Sequence, residues 1–401
     1  MRDNPNIEEE EELSYMDLQG ILNDNEEIAD DLELANLEDT KVYSRDWTIG
    51  TIYDQIDQQN IDLNPDFQRR NAWDDARRSR LIESLIVGYP VPEVVLAEDL
   101  EKRRSFLVID GKQRLLTIAG FINPQIPYWN KPILTGLKVR KDLNGLAYQD
   151  LISNPAYTDV VRSLKNADLR CTVISSYRSN DVLYNIFHRL NTGSVPLATQ
   201  ELRQVLFRGP FSNYLIAITN DLQPIHSVLG LKGPDHRLRD VEIILRYLAI
   251  CFFGNSYAGN LKKFLDDSMK AFNLKWNEFN ETVEGEYQNL NNSLFKLENV
   301  FGRFNRIGRK YTENKLEPRF NRVLFEVQVF YFRSVPEELL TEQSIAKFTH
   351  DFQLMCNAAE FRSSIEATTK TKDSYFTRFS NFETLINSVF DLKLNINPFV
   401  R

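Results

Sequence analysis

Cysteine is scarce in this chain of 401 residues, with only Cys171, Cys251 and Cys356. They lie far apart and form no Cys-x-x-Cys pair, which excludes a disulfide framework and a zinc ribbon and fits a reducing, cytoplasmic setting. Histidine is nearly as scarce: His188, His226, His236 and His350 are all there is. His226 and His236 lie nearest each other, but in a stretch punctuated by Pro and Gly with no Cys or acidic metal-ligand pattern, so a surface loop is expected there. No apolar run approaches the length of a membrane span, and the acidic start lacks the basic and apolar regions of a signal peptide, so no membrane partner is expected.

Basic charge is missing from one end. The net charge of -9 conceals a leader, residues 1–40, with 15 acidic side chains against Arg2 alone, whereas residues 41–401 carry 47 basic and 42 acidic groups. A leader of this composition cannot bury enough apolar surface to fold and reads as a solvated tail. A sharper reading is that it covers a basic groove until nucleic acid or a partner displaces it.

What is present is a 42% apolar, 11% aromatic chain, enough for two or three cores at this length. Residues 105–114 are the most informative stretch. An apolar run, Phe106 to Ile109, stops at Asp110 and Gly111, and a helix opens with Lys112, Gln113 and Arg114. A carboxylate ends the strand, Gly111 permits close backbone approach, and three polar side chains sit where a helix N-terminus offers unpaired donors and partial positive charge. A phosphate suits that corner. A second Gln-Arg pair, Gln68 and Arg69, stands just before another helix, and the two corners could converge on one anion. Strand, Asp-Gly turn and helix also describe plain structural connections.

Around these corners the pattern is legible. Trp47 to Ile61 reads as a short helical or strand-like entry. A helix from Asp74 is capped by that residue, buries Leu81, Ile82, Leu85 and Ile86, and stops at Gly88 and Pro90, with Arg77, Arg78 and Arg80 on its polar face. Val94 to Ala97 and Phe106 to Ile109 read as paired strands flanking a solvent-facing turn, Asp99 to Arg104. From Lys112 a helix turns Leu115, Leu116, Ile118, Ala119 and Ile122 inward and ends at Asn123 and Pro124. The prolines and Gly136 of 125–165 suggest a long insertion. Leu169 to Ile174 reads as a strand, Asp181 to Leu190 as an amphipathic helix, and about Gln200 to Phe207 as a helix stopped by Gly209 and Pro210. Beyond lie candidate helices Arg239–Phe253, Leu261–Phe272, Trp276–Phe301, Phe320–Phe332, Thr341–Cys356 and Thr377–Phe390. The Trp276 helix lines up Phe279, Val283, Tyr287, Leu290, Leu294 and Leu297 as core or as a partner seam. The expectation is therefore α+β: the leader, residues 1–40, then an α/β domain over 41–200 and an all-helical domain over 201–401.

Together these residues resemble the N-terminal domain family of GmrSD-type modification-dependent restriction endonucleases. That family carries a Pro-x-(Tyr/Phe)-Gln-Arg box, matched by Pro65, Phe67, Gln68 and Arg69. Its Leu-Ile-x-Ser helix is matched by Leu81, Ile82 and Ser84, and its Gly-x-Pro-x-Pro turn by Gly88, Pro90 and Pro92. The Asp-Gly-Gln-Gln-Arg-Leu box stands as Asp110, Gly111, Lys112, Gln113, Arg114 and Leu115. Arg189, Leu190, Asn191, Thr192 and Gly193, then Glu201 and Arg203, match later Arg-Leu-Asn-Thr-Gly and Glu-x-Arg elements. The likeness runs from about residue 45 to 270, and the order of the boxes is more specific than any one of them. The layout is also similar to the ParB and sulfiredoxin superfamily, in which two arginine-bearing loops enclose a nucleotide's phosphates.

The resemblance implies a nucleotide-binding domain that binds a nucleoside triphosphate and hydrolyses it with Mg²⁺. Arg69 and Arg114 would neutralise phosphate through forked donors, Lys112 would add a point charge, Gln113 or Gln68 could orient water, and Asp110 would hold the metal. Gly111, Arg189 and Asn191 complete the expected nucleotide contacts. Lys112 stands where the family most often has Gln; it should strengthen phosphate binding while removing an amide that could accept a hydrogen bond from attacking water. Other readings stand beside these. Arg69 or Arg114 could pair with Asp66 or Asp110; Arg189, Asn191, Glu201 and Arg203 could be caps and an interhelical ion pair; Arg77, Arg78 and Arg80 could be a solvated face.

Family members that cut DNA carry a separate nuclease domain, often of the His-Asn-His type, which needs closely spaced histidines. The four histidines here do not supply one. The expected function is an NTP-dependent regulatory or sensor component of a prokaryotic restriction or anti-phage system, with the nuclease on a partner chain. A ParB-like DNA-binding module using nucleotide as a switch without turnover is the alternative, and DNA nicking at Asp110 and Glu83 is a third. Candidate partners are nucleotide, DNA, a nuclease subunit and a second copy of the chain, the helical half serving as a lid, dimerisation surface or platform.

Overall fold

The computed structural model describes residues 39–63, 73–100, 102–126, 128–190 and 198–399, and of residues 188–190 the backbone alone. The chain divides into two compact units between residues 197 and 198.

The first unit is built on a five-stranded mixed sheet of order β1-β5-β3-β4-β2. The strands are β1 (Lys41–Thr48), β2 (Ile61–Asp62), β3 (Val94–Glu98), β4 (Phe106–Asp110) and β5 (Asp168–Ser175). β1 runs antiparallel to β5 and β3 antiparallel to β4, while β3/β5 and β2/β4 are parallel. Side-chain alternation splits each inner strand between two faces. Val94, Leu96, Phe106, Val108, Leu169, Cys171 and Val173 share one core with the helices α1 (Ile49–Asp57), α2 (Asp75–Val87) and α3 (Lys112–Ile122).

Local chemistry sets the helix ends. Thr48 accepts the Thr51 amide at the start of α1, and Asp74 accepts the Arg77 amide, 2.6 Å away, at the start of α2. Gly88 ends α2 in the left-handed conformation, φ 84°. The entry region resolves into β1 followed by α1. The stretch 125–165, expected as an insertion, holds α4 (Tyr148–Ser153) and α5 (Thr158–Asn166), and α5 adds Val160 and Leu164 to the core. Its three apolar residues, Val160, Val161 and Leu164, sit at helical spacing, but the helix is only nine residues long in a stretch broken by Pro124, Pro127, Pro132 and Pro155. Ile122 is only partly buried. Arg78 departs from the solvated face expected of it: it is buried and donates to the Tyr128 and Trp73 carbonyls at 2.8 and 3.2 Å. After β5, α6 (Asn180–Leu190) packs against β4.

The second unit is helical apart from a two-stranded hairpin, β6 (Tyr311–Thr312) and β7 (Lys315–Leu316). Its helices are α7 (Thr199–Leu206), α8 (Pro210–Ile218), α9 (Pro224–Val228), α10 (Arg239–Phe253), α11 (Leu261–Leu274), α12 (Trp276–Phe301), α13 (Arg322–Phe332), α14 (Glu342–Asn357), α15 (Ala359–Glu366) and α16 (Lys372–Phe390). Pro210, read as a stop, instead occupies the first turn of α8, where its missing N–H has no helical partner to lose. The α12 stripe is core: Val283, Tyr287, Leu290, Leu294 and Leu297 are buried. His226 also corrects the surface-loop expectation. It lies in α9 with no exposure, its Nδ1 accepting the Gln223 amide at 2.8 Å and its Nε2 2.9 Å from Asp240. No single helix among the described residues is long and apolar enough to cross a membrane.

Candidate functional site

The corner between β4 and α3 is shaped by Gly111. Its φ of 92° lies in the left-handed region, and a Cβ there would come within 2.7 Å of Val94 Cγ2 and 3.2 Å of Val94 Cα. Only glycine combines that backbone with that approach. The pairing of β3 with β4 shifts register between Val95 and Leu96, next to where Val95 stands opposite Asp110. A bulge of this kind re-aims the end of a strand. No side chain caps α3, so the partial positive charge of its first turn is left for a ligand or solvent to meet.

Asp110 and Arg114 form an ion pair at 2.8 Å, with side-chain exposures of 40% and 14%. The same Arg114 Nη2 donates to the Glu93 carbonyl at 2.8 Å, and the Glu93 carboxylate accepts from Thr172 at 2.9 Å. Arg114 is thus partly committed to locking the start of β3 onto the corner, the ion-pair reading weighed from sequence. Two polar atoms of this corner are buried and without partners among the described residues: Gln113 Oε1 and Arg114 Nε. Leaving such an atom unpaired costs about 1–3 kcal/mol, so the corner holds one acceptor and one donor to be met by a ligand or water. Lys112 is half-buried at the first helical position.

Of the other expected contacts, Gln68, Arg69 and Asn191 lie outside the described residues, and Arg189 is placed in α6 by its backbone alone. Topology still constrains the approach of the first corner. β2 is the parallel neighbour of β4, pairing Ile61 with Phe106 and Asp62 with Leu107. The chain therefore leaves β2, at Leu63, at the same end of the sheet where β4 reaches Asp110. The ends of adjacent parallel strands are where open sheets accept ligands.

Glu83, weighed as a nicking residue, belongs to the scaffold. It is buried and accepts the amides of Val139 and Arg140 at 2.8 Å and of Lys138 at 3.4 Å. Burial alone would raise its carboxyl, but those three donors outweigh it and hold the group below its ordinary value. Glu201 accepts the Ala198 amide at the start of α7, and Arg203 pairs with Asp266 of α11 at 2.7 Å, so these two are the cap and the interhelical ion pair. Sequence reasoning passed over Glu93 and gave Val94 only as the start of a strand, not as part of the corner. Their only signal was position, directly after the Gly88, Pro90, Pro92 turn.

No group of three or more His, Cys, Asp or Glu able to hold a metal occurs among the described residues. Residues 49–208 match the family model described as the GmrSD restriction endonuclease, N-terminal domain. No curated protein and no solved structure matches the chain.

Proposed function

We propose that the chain, whose residues 49–208 match the GmrSD-type N-terminal domain, is a component of a restriction or anti-phage system and that this domain binds and hydrolyses a nucleoside triphosphate at the β4–α3 corner. The observation that carries the reading is the corner itself: an uncapped helix N-terminus behind a glycine that admits no side chain, with a buried acceptor on Gln113 and a buried donor on Arg114 left open. Phosphate oxygens fit the amides of the first turn of α3.

In this reading Arg114 is held in place by Asp110 and the Glu93 carbonyl and presents the rest of its guanidinium to phosphate, Lys112 adds a point charge, and Gln113 orients water through its unpaired amide oxygen. Magnesium, when bound, neutralises charge on the phosphate oxygens. Asp110 fits that ion: it is partly exposed, one of its oxygens is engaged by Arg114, and a single carboxylate suits a cation that otherwise takes phosphate oxygens and water. Gln68 and Arg69, which follow β2, and Arg189 and Asn191, at and beyond the end of α6, would close the pocket in the manner of ParB and sulfiredoxin-like domains. The nuclease is supplied by another chain.

Calorimetry with a magnesium nucleotide is the direct test. Arg114→Ala should abolish binding, and an unshifted affinity refutes the assignment. The Lys112 substitution favours a second reading, in which nucleotide serves as a ParB-like switch for DNA binding with little turnover. Lys112→Gln should then weaken binding and raise phosphate release. If wild type already releases phosphate, with or without DNA, as fast as the variant, the switch reading fails.

A further inference from the structure

The segment from Tyr128 to Lys141 lies along α2. Arg78 donates to the Tyr128 carbonyl at 2.8 Å, the Thr135 amide donates to Ser79 Oγ at 3.0 Å, and the Val139 and Arg140 amides donate to Glu83 at 2.8 Å. These bonds bring five exposed cations onto neighbouring surface: Arg77 and Arg80 from α2, and Lys131, Lys138 and Lys141 from the segment. None makes an ion pair among the described residues. The acids nearby are already engaged. Asp74 caps α2, Asp75 accepts from the Trp129 indole at 2.7 Å, Glu83 holds the segment, and Asp142 pairs with Arg140. Between the lysines, Ile133 and Val139 are 44% and 52% exposed. The surface is therefore both basic and apolar.

We propose that this face binds the chain's own acidic leader, residues 8–33, in cis. That stretch carries twelve acidic residues and no basic one, interleaved with Leu13, Leu18, Ile21, Leu22 and Ile28. It supplies both characters the surface lacks partners for. Apolar side chains among the lysines add little to contact with a nucleic-acid backbone, which is met by cations and hydrogen-bond donors; they favour a peptide. The link is short: five residues lie between Glu33 and Asp39, an extended reach of about 20 Å, which holds the segment at an effective concentration in the millimolar range. The last acid of the leader, Asp39, already pairs with Arg178 on the same unit. An occupied face would keep the domain from binding other polyanions until the leader is displaced.

Amine-reactive labelling of the full chain, read by mass spectrometry, tests this. Lys131, Lys138 and Lys141 should label several-fold more slowly at about 50 mM salt than at about 500 mM, where screening weakens the pairing. In a full chain with Glu8→Gln, Glu9→Gln, Glu10→Gln, Glu11→Gln and Glu12→Gln the three lysines should label faster than in wild type at low salt. Lys372, on the other unit, should not change. The protection should be independent of protein concentration; dependence on it would indicate a second copy and overturn docking in cis. Equal labelling of the three lysines in wild type and variant also overturns the proposal. So does protection by an added DNA duplex to the same extent in both, which would make the face a nucleic-acid surface.

Discussion

Gly111 fixes where the chain can approach a ligand at the β4–α3 corner, and its replacement is the plainest test at the scale of one residue. Gly111→Ala would place a methyl 2.7 Å from Val94 Cγ2 on a backbone of φ 92°, and strain of this kind together with overpacking should cost about 2–4 kcal/mol of stability, read by urea unfolding. The corner was legible because its demands fall on residue type: a carboxylate, a glycine and a run of polar side chains. Its supports were not. Glu93 acts through a backbone carbonyl and Val94 through proximity, and neither leaves a mark in composition. Arg78 was misread because three arginines in four positions look like one polar run, although helical spacing sets Arg78 in line with Ile82 and Leu85 on the inward side.

At the scale of elements, the bond between α2 and the segment beside it rests on Glu83. Its carboxyl is held below the ordinary value of 4.5 by backbone donors, so its stabilisation is complete above that pH and is withdrawn as pH falls through the lower folded value. Glu83→Gln should lose about 1–3 kcal/mol near neutral pH, since two good charge-assisted bonds become ordinary ones. Urea unfolding of wild type and variant should converge as pH is lowered beneath 4.5; a constant gap would show that the charge is not what binds the segment. Long helices with sustained periodicity, such as α10 and α12, were readable to their ends from sequence. Short ones were not, because α5 is a nine-residue helix in a proline-broken stretch and α8 begins at a proline that resembles a terminator.

At the scale of the whole molecule, the helical unit closes over a set of charges. Glu326 in α13 receives Arg246 Nε, the Tyr375 hydroxyl at 3.2 Å and, at 3.9 Å, Arg378, all buried. Arg378 also lies 3.5 Å over the Tyr375 ring, and burial lowers its pKa. Glu326→Leu leaves buried Arg378 without its carboxylate and Arg246 with Glu242 alone, 3.3 Å away, and should destabilise the chain by about 3–5 kcal/mol, measurable as a lowered urea midpoint. An acid in the run from Val323 to Phe332, apolar apart from Glu326 and Gln328, was the visible trace of this arrangement, since a carboxylate there requires cations from elsewhere; which cations, the sequence alone does not say.

The outer strand of the sheet has a consequence for handling the protein. Among the described strands β1 pairs only with β5, and its other side offers a row of amides and carbonyls eight residues long. Lys41, Arg45 and Asp46 stand on that rim, and burying their charge is what a stray strand would have to accept in order to add itself there. Solubility at high protein concentration thus depends on three surface side chains remote from any chemistry, and exchanging them for valines would convert a guarded border into a seed for stacking chain upon chain.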